Sequence, residues 1–214
     1  LLQEPVVHVH IKPEQISKTQ LIIESVESKK TAFFFKRLFD ILVSSALILL
    51  FSPILILVAL IIKITSRGPL LYSNDRDSFG GSNFRCHKFR SMVRDQSVKE
   101  ADHKIAVAGQ AKGILHKSKN DSRVTWIGKI IRKFSIDELP QLFNVLKGDM
   151  SIVGPRPLVP FMLSPYPEFK KVRCLVRPGI TGLWQIRDRE NNTSAEFMMQ
   201  HDTEYIENYS FFLD

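Results

Sequence analysis

The chain carries only two cysteines, Cys86 and Cys174, among 214 residues. That is too few for a disulfide framework, and nothing around them suggests a zinc site. A reducing compartment is the simpler setting. No internal repeat and no low-complexity stretch stands out, so a repeat array or a disordered tract is not the organising feature. Acidic residues are in deficit: 22 Asp and Glu against 30 Lys and Arg give a formal net charge of +8. The excess points to an anionic partner, whether nucleic acid, a membrane surface or a phosphorylated substrate. No nucleic-acid recognition motif of the usual kinds accompanies it. The chain begins at Leu1 and not at Met, and is expected to be a piece of a longer protein.

One stretch lacks charge altogether. Ile41 to Ile62 reads ILVSSALILLFSPILILVALII, 22 residues of which sixteen are Ile, Leu, Val or Phe. Each favours membrane insertion by ~0.3–0.6 kcal/mol, so together they favour it by roughly 5–10 kcal/mol before the Ser and Pro penalties. The stretch lies too far into the chain for a signal peptide and lacks a small-residue cleavage site. Straight, it would reach ~33 Å, enough to span a hydrocarbon core of ~30 Å. Two features argue against a plain crossing. Ser52-Pro53 sits at the midpoint, where proline removes a helical hydrogen bond and kinks the helix. The flanks are positive on both sides, with Lys36 and Arg37 before and Lys63 and Arg67 after, and positive residues stay cytoplasmic. A re-entrant hairpin satisfies both flanks; a kinked single span is the alternative. The Ser52 hydroxyl is a candidate donor for backbone left unsatisfied at the break.

Three regions follow. Residues 1–35 read as a polar tail or linker, with a short alternating run, VVHVHI. Its His8 and His10 have metal-like spacing but no further ligands in view. Residues 36–67 form the membrane-anchoring helix broken at Ser52-Pro53. Residues 68–214 form the remaining domain, whose C-terminus is expected to be truncated. Within it, two extended runs around Gly80-Gly81 predict a β-hairpin. Residues 95–122 are polar and predict helix and loop. Trp126, Ile127, Ile130, Ile131 and Phe134 predict a helix with Lys129, Arg132 and Lys133 largely on its other side. LPQLFNVLKG predicts an amphipathic helix ended by Gly148, MSIV a short strand, CLVRPGITGLWQI an extended run with turns, and the segment from Ala195 a final helix. The fold class is α+β: a re-entrant membrane helix hairpin plus a compact, mainly helical cytosolic domain with short strands.

Asp137 and Glu138 are adjacent at the end of one helical pattern and just before the next. The structural reading is a capping box, Ser135-x-x-Glu138, with Pro140 near a helix start. The chemical reading rests on the neighbours. Carboxylates where a helix end favours phosphate would repel it unless a divalent cation intervenes, and Mg²⁺ takes one or two carboxylates plus substrate phosphates. Arg132 precedes the pair. Arg156 is locked between Pro155 and Pro157, its planar fork suited to bidentate phosphate contact. Lys88 and Arg90 add charge at the hairpin's end, and Lys129 adds more on the preceding helix.

KRLFD before a Ser-Pro-interrupted apolar segment, KFRSM, SRVTWIGKIIRKFSIDELPQLFNVLKGDMSIVGPRPL and RPGITGLWQI together resemble the bacterial sugar transferases of the monotopic phosphoglycosyl transferase family. The resemblance runs from about Lys36 to Asp214. It implies transfer of a sugar 1-phosphate from a UDP-sugar to a polyprenol phosphate, usually undecaprenyl phosphate, with release of UMP. That is the first membrane step of exopolysaccharide, capsule, O-antigen or glycan assembly. It further implies Asp137 as nucleophile, Glu138 as its partner, Mg²⁺ (or Mn²⁺) at both acids, Arg156 on phosphate with Arg132 helping, and Ser52-Pro53 as the membrane break. Lys88, Arg90 and Lys129 complete the expected phosphate-binding set. The expected setting is the cytoplasmic face of a bacterial inner membrane, with UDP-sugar, undecaprenyl phosphate and membrane lipids as partners, no nucleic acid, and a homodimer left open. The chain departs from the family in its hairpin turn, where Arg76-Asp77-Ser78-Phe79-Gly80-Gly81 lacks a first glycine, and after GLWQ, where IRDREN stands. Two alternatives remain: a non-enzymatic membrane scaffold of the same ancestry, and a basic nucleic-acid-binding membrane protein.

Overall fold

The computed structural model describes residues 13–93, 123–188, 195–210 and 214. Its helices are α1 (Pro13–Ser28), α2 (Lys30–Thr65), α3 (Trp126–Lys133), α4 (Gln141–Lys147), α5 (Pro160–Leu163), α6 (Pro167–Arg173), α7 (Leu183–Asp188) and α8 (Ala195–Glu207). Its strands are β1 (Leu71–Asp77), β2 (Asn83–Phe89), β3 (Ser151–Val153) and β4 (Gly179–Thr181). The mixed helix and strand class agrees with the sequence. His8, His10 and the predicted helix and loop of 95–122 lie outside the described residues.

Helix α1 corrects the reading of 1–35 as a tail or linker. Ile22 and Val26, one turn apart, are buried against Val172 of α6 and Tyr205, Ile206 and Tyr209 at the end of α8. The helix also carries Ile16, Leu21 and Ile23, but Leu21 is exposed, so the apolar residues do not mark a single buried stripe in the sequence.

Helix α2 is the one described helix apolar and long enough to cross a membrane. Both its ends are fastened to the same domain. Near the start, Arg37 donates to the carbonyls of Val145 and Leu146 in the last turn of α4, the helix end whose dipole favours a cation. Asp40, fully buried, accepts from Ser151 Oγ and Ile152 N, both at 3.0 Å. Near the other end, Val58 and Ile62 pack on Phe89, Ile127 and Ile131. Arg90 holds the exit by donating to the carbonyls of Ser66 and Arg67. Between the two anchors Leu49, Leu50, Ile56 and Leu57 are exposed. Helical structure runs through Ser52 and Pro53 as a single element and not as two separate helices. Proline cannot bond the carbonyl of Leu49, four residues back. Ser52 Oγ donates to that oxygen at 2.8 Å, the repair expected of it.

The β1–β2 hairpin forms as predicted, antiparallel, with Arg76 opposite Phe84 and Tyr72 opposite Lys88. Gly80 and Gly81 take positive φ (68° and 76°), which fits the turn to glycine. On β2, Phe84 and Cys86 pack on Val145 and Met150. Asn144 of α4 binds the backbone of β2: its Oδ1 accepts from His87 N at 3.0 Å and its Nδ2 donates to Arg85 O at 2.9 Å.

Helix α3 forms where predicted, but of the five apolar residues that predict it only Ile127 and Ile131 are buried; Trp126, Ile130 and Phe134, the last just past the helix, are exposed. The five occupy two adjacent stripes, and the helix packs against α2 through the narrower one. Helix α4 ends at Gly148, φ 100°. Strand β3 pairs in parallel with β4. The predicted extended run ends at Ile186, but its last residues from Leu183 open a helix, α7, and the final helix begins at Ala195 as expected.

Candidate active site

Asp137 and Glu138 do not open a helix in capping geometry. They lie on a separate 3₁₀ turn, Ile136–Glu138, between α3 and α4. Ser135 enters that turn with φ 56° and makes no side-chain cap bond to it. A left-handed serine is uncommon, and the conformation turns the chain sharply before the two acids. Both acids are buried, at 7% and 6% exposure. The Ser135 half of a capping box is missing, and the Glu138 oxygens bond Lys88 and Arg156.

Glu138 instead gathers cations. Lys88 Nζ lies 2.7 Å from its Oε1 and Arg156 Nη2 lies 2.6 Å from the same oxygen, while Nη1 approaches Oε2 at 3.4 Å. Three segments distant in sequence therefore converge: the end of β2, the 3₁₀ turn and the Pro155–Pro157 loop after β3. Burial opposes the charge on Glu138, but Arg156 and Lys88 outweigh it and hold the carboxyl well below the usual range. Arg76 completes the cluster. It shares a face of the hairpin with Lys88 by strand parity and donates to the carbonyl of Pro157 at 3.3 Å. Burial pulls its guanidinium down from its ordinary value. Three cations gather at Glu138, next to Asp137, a concentration of positive charge suited to a diphosphate.

The bacterial sugar transferase family model matches residues 31–214. The chain belongs to that family. It is 40% identical over 181 residues to the exopolysaccharide production protein ExoY of Rhizobium meliloti, covering 84% of this chain and 80% of that protein. It is 42% identical over 199 residues to the undecaprenyl-phosphate galactose phosphotransferase of Salmonella typhimurium, covering 91% of this chain and 41% of the relative. A UDP-glucose:undecaprenyl-phosphate glucose-1-phosphate transferase of Klebsiella pneumoniae is 42% identical over 187 residues, 84% of this chain and 37% of that one. The chain thus spans most of the first relative and about two fifths of the other two.

Within this sugar transferase the expected residues separate. Asp137, Glu138, Lys88 and Arg156 come together. Arg90 makes hydrogen bonds at the end of α2, so it fastens the long apolar helix to the hairpin. Lys129 is exposed and Arg132 half-buried on α3. As for a metal, no group of three or more His, Cys, Asp or Glu residues is poised to hold one among the described residues. Glu138 has both oxygens directed at Lys88 and Arg156, so a metal there would share them with those cations. Asp137 with substrate phosphates fits the usual Mg²⁺ arrangement. Arg76 was missed among the site residues; the cue was its parity with Lys88 across the Gly80-Gly81 turn.

Proposed function

We propose that this sugar transferase moves a sugar 1-phosphate from a UDP-sugar to undecaprenyl phosphate at the cytoplasmic membrane face, through a covalent intermediate on Asp137. The observation that carries the reading is the buried acid pair with Lys88 and Arg156 locked on Glu138. The named activities of the Salmonella and Klebsiella relatives support the substrates.

In the first half-reaction a carboxylate oxygen of Asp137 attacks the phosphorus that bears the sugar. A new O–P bond forms, the phosphoanhydride bond breaks, and UMP leaves with the bridging oxygen and its electron pair. In the second, a phosphate oxygen of undecaprenyl phosphate attacks the same phosphorus, and the Asp137 carboxylate departs. Glu138 fixes Lys88 and Arg156 in place beforehand, so their donors meet the developing phosphate charge without reorganisation. A Mg²⁺ held by Asp137 and the diphosphate would neutralise the charge that otherwise repels the carboxylate. Arg76 adds long-range attraction for the diphosphate.

The membrane arrangement we propose is re-entrant. A straight span places its two ends on opposite faces of a core ~30 Å thick. Here Asp40 and Ile62 both anchor to one domain, which favours entry and exit by one face. The direct test of the function is UMP release by detergent-solubilised protein across a panel of UDP-sugars, with and without undecaprenyl phosphate.

A further inference from the structure

Proline has no N–H, so Pro155 and Pro157 cannot donate hydrogen bonds, and the loop that carries Arg156 is short of donors. It is held through its acceptors. The carbonyl of Pro155 accepts from Gly179 N at 2.9 Å, where any side chain on Gly179 would collide with Gly154 N. The carbonyl of Pro157 accepts from Arg76. Between them, the carbonyl of Arg156 accepts from Nη2 of Arg173 on α6. Arg173 is itself held by charge, in an ion pair without hydrogen-bond geometry. Its Nε lies 3.1 Å from Oδ2 of Asp202 on α8, the two side chains being 6% and 2% exposed. Its guanidinium lies 5.4 Å from the centre of the Phe169 ring.

We infer that Arg173, held by Asp202, is a positioning residue that sets the backbone of Arg156 and so aims its guanidinium at Glu138 and the substrate phosphate. The inference rests on the reading of Arg156 as a phosphate ligand. Two buried charges need a compensating role, since an ion pair of this kind rarely adds stability over an apolar pair. The fork of an arginine supplies one here. One edge meets Asp202 while another nitrogen reaches the Arg156 carbonyl, a division that a single ammonium cannot reproduce. The inference also explains how α8, far from the acid pair in sequence, is tied to the site.

The test is a double-mutant cycle on UMP release. Arg173→Lys keeps the charge and loses the second reach. It is expected to slow release roughly ten- to hundredfold, the scale of a small misplacement near the chemistry, with the melting temperature little changed. In an Arg156→Lys background the same substitution is expected to cost less than about twofold more, because Arg173 acts through Arg156. An equal further loss in that background, or no loss in the parent, overturns the inference and leaves the phosphate reading standing. Arg156→Lys at the parental rate removes the phosphate reading itself, and the positioning inference with it. Should Arg173→Lys fail to fold or the double variant be too slow to time, hydrogen exchange on Asp202→Asn decides. Lost protection confined to residues 151–159 supports the inference; loss spread over α6 and α8, or none, overturns it.

Discussion

Arg156 Nη2 and Glu138 Oε1 lie 2.6 Å apart, and Lys88 reaches the same carboxylate oxygen. One buried acid thus holds both cations before any substrate arrives. Glu138 organises the cations, and Asp137 beside it is the acid to which the proposal gives the chemistry.

The first prediction concerns the fork of Arg156. Arg156→Lys keeps a positive charge but loses the paired donors that meet Glu138. Turnover is expected to fall roughly a hundredfold, the scale of losing one preorganised donor. Steady-state UMP release at saturating donor reads it.

Glu138 gives a pH-dependent prediction. Its carboxyl is held below the usual range in the folded protein because Arg156 and Lys88 overcome its burial. The stability it contributes is fully present above the unfolded pKa of about 4.3 and is lost as pH falls through the lower folded value. Glu138→Gln lacks that contribution. The variant should melt below the parent at pH 7, and the gap should narrow once pH drops below about 4. Thermal melts at a series of pH values check this; a constant gap would mean the ion pairs contribute nothing.

Removal of divalent metal should stop UMP release, and added Mg²⁺ or Mn²⁺ should restore it. Full activity in a chelator would mean that Lys88, Arg76 and Arg156 neutralise the diphosphate unaided.

Topology is tested by single cysteines at Thr31 and Ser66 in a background free of Cys86 and Cys174. Re-entry predicts that an impermeant reagent reaches neither site in intact cells and both after permeabilisation. Labelling of Thr31 alone would show a single span.

Much of this was legible in the sequence for local reasons. The Gly80-Gly81 turn fixed the hairpin, and Gly148 ended α4, because positive φ is a property of the residue itself. Ser52 answered Pro53 one position away. The rest depended on partners distant in the chain. Ile22 and Val26 look like a tail until Tyr205 and Ile206 cover them. Arg90 reads as a phosphate ligand in the sequence, which carries no sign of its bonds to the carbonyls of Ser66 and Arg67. Arg173 and Asp202 sit on different helices with no spacing to connect them. The two readings of Asp137-Glu138 could not be separated from sequence, since a capping box and an acid cluster share the same letters. The missing Ser135 cap bond and the bonds of Glu138 to Lys88 and Arg156 favour the acid cluster.

The central claim is that Asp137 carries the phosphosugar covalently. The parent protein, incubated with a UDP-sugar and no lipid acceptor and then digested, should show one added sugar-phosphate mass on the peptide containing Asp137. Undecaprenyl phosphate should remove that mass, and Asp137→Asn should fold normally yet never acquire it. An unmodified peptide under the same trapping conditions, together with an Asp137→Asn variant that still releases UMP at the parental rate, would contradict the account.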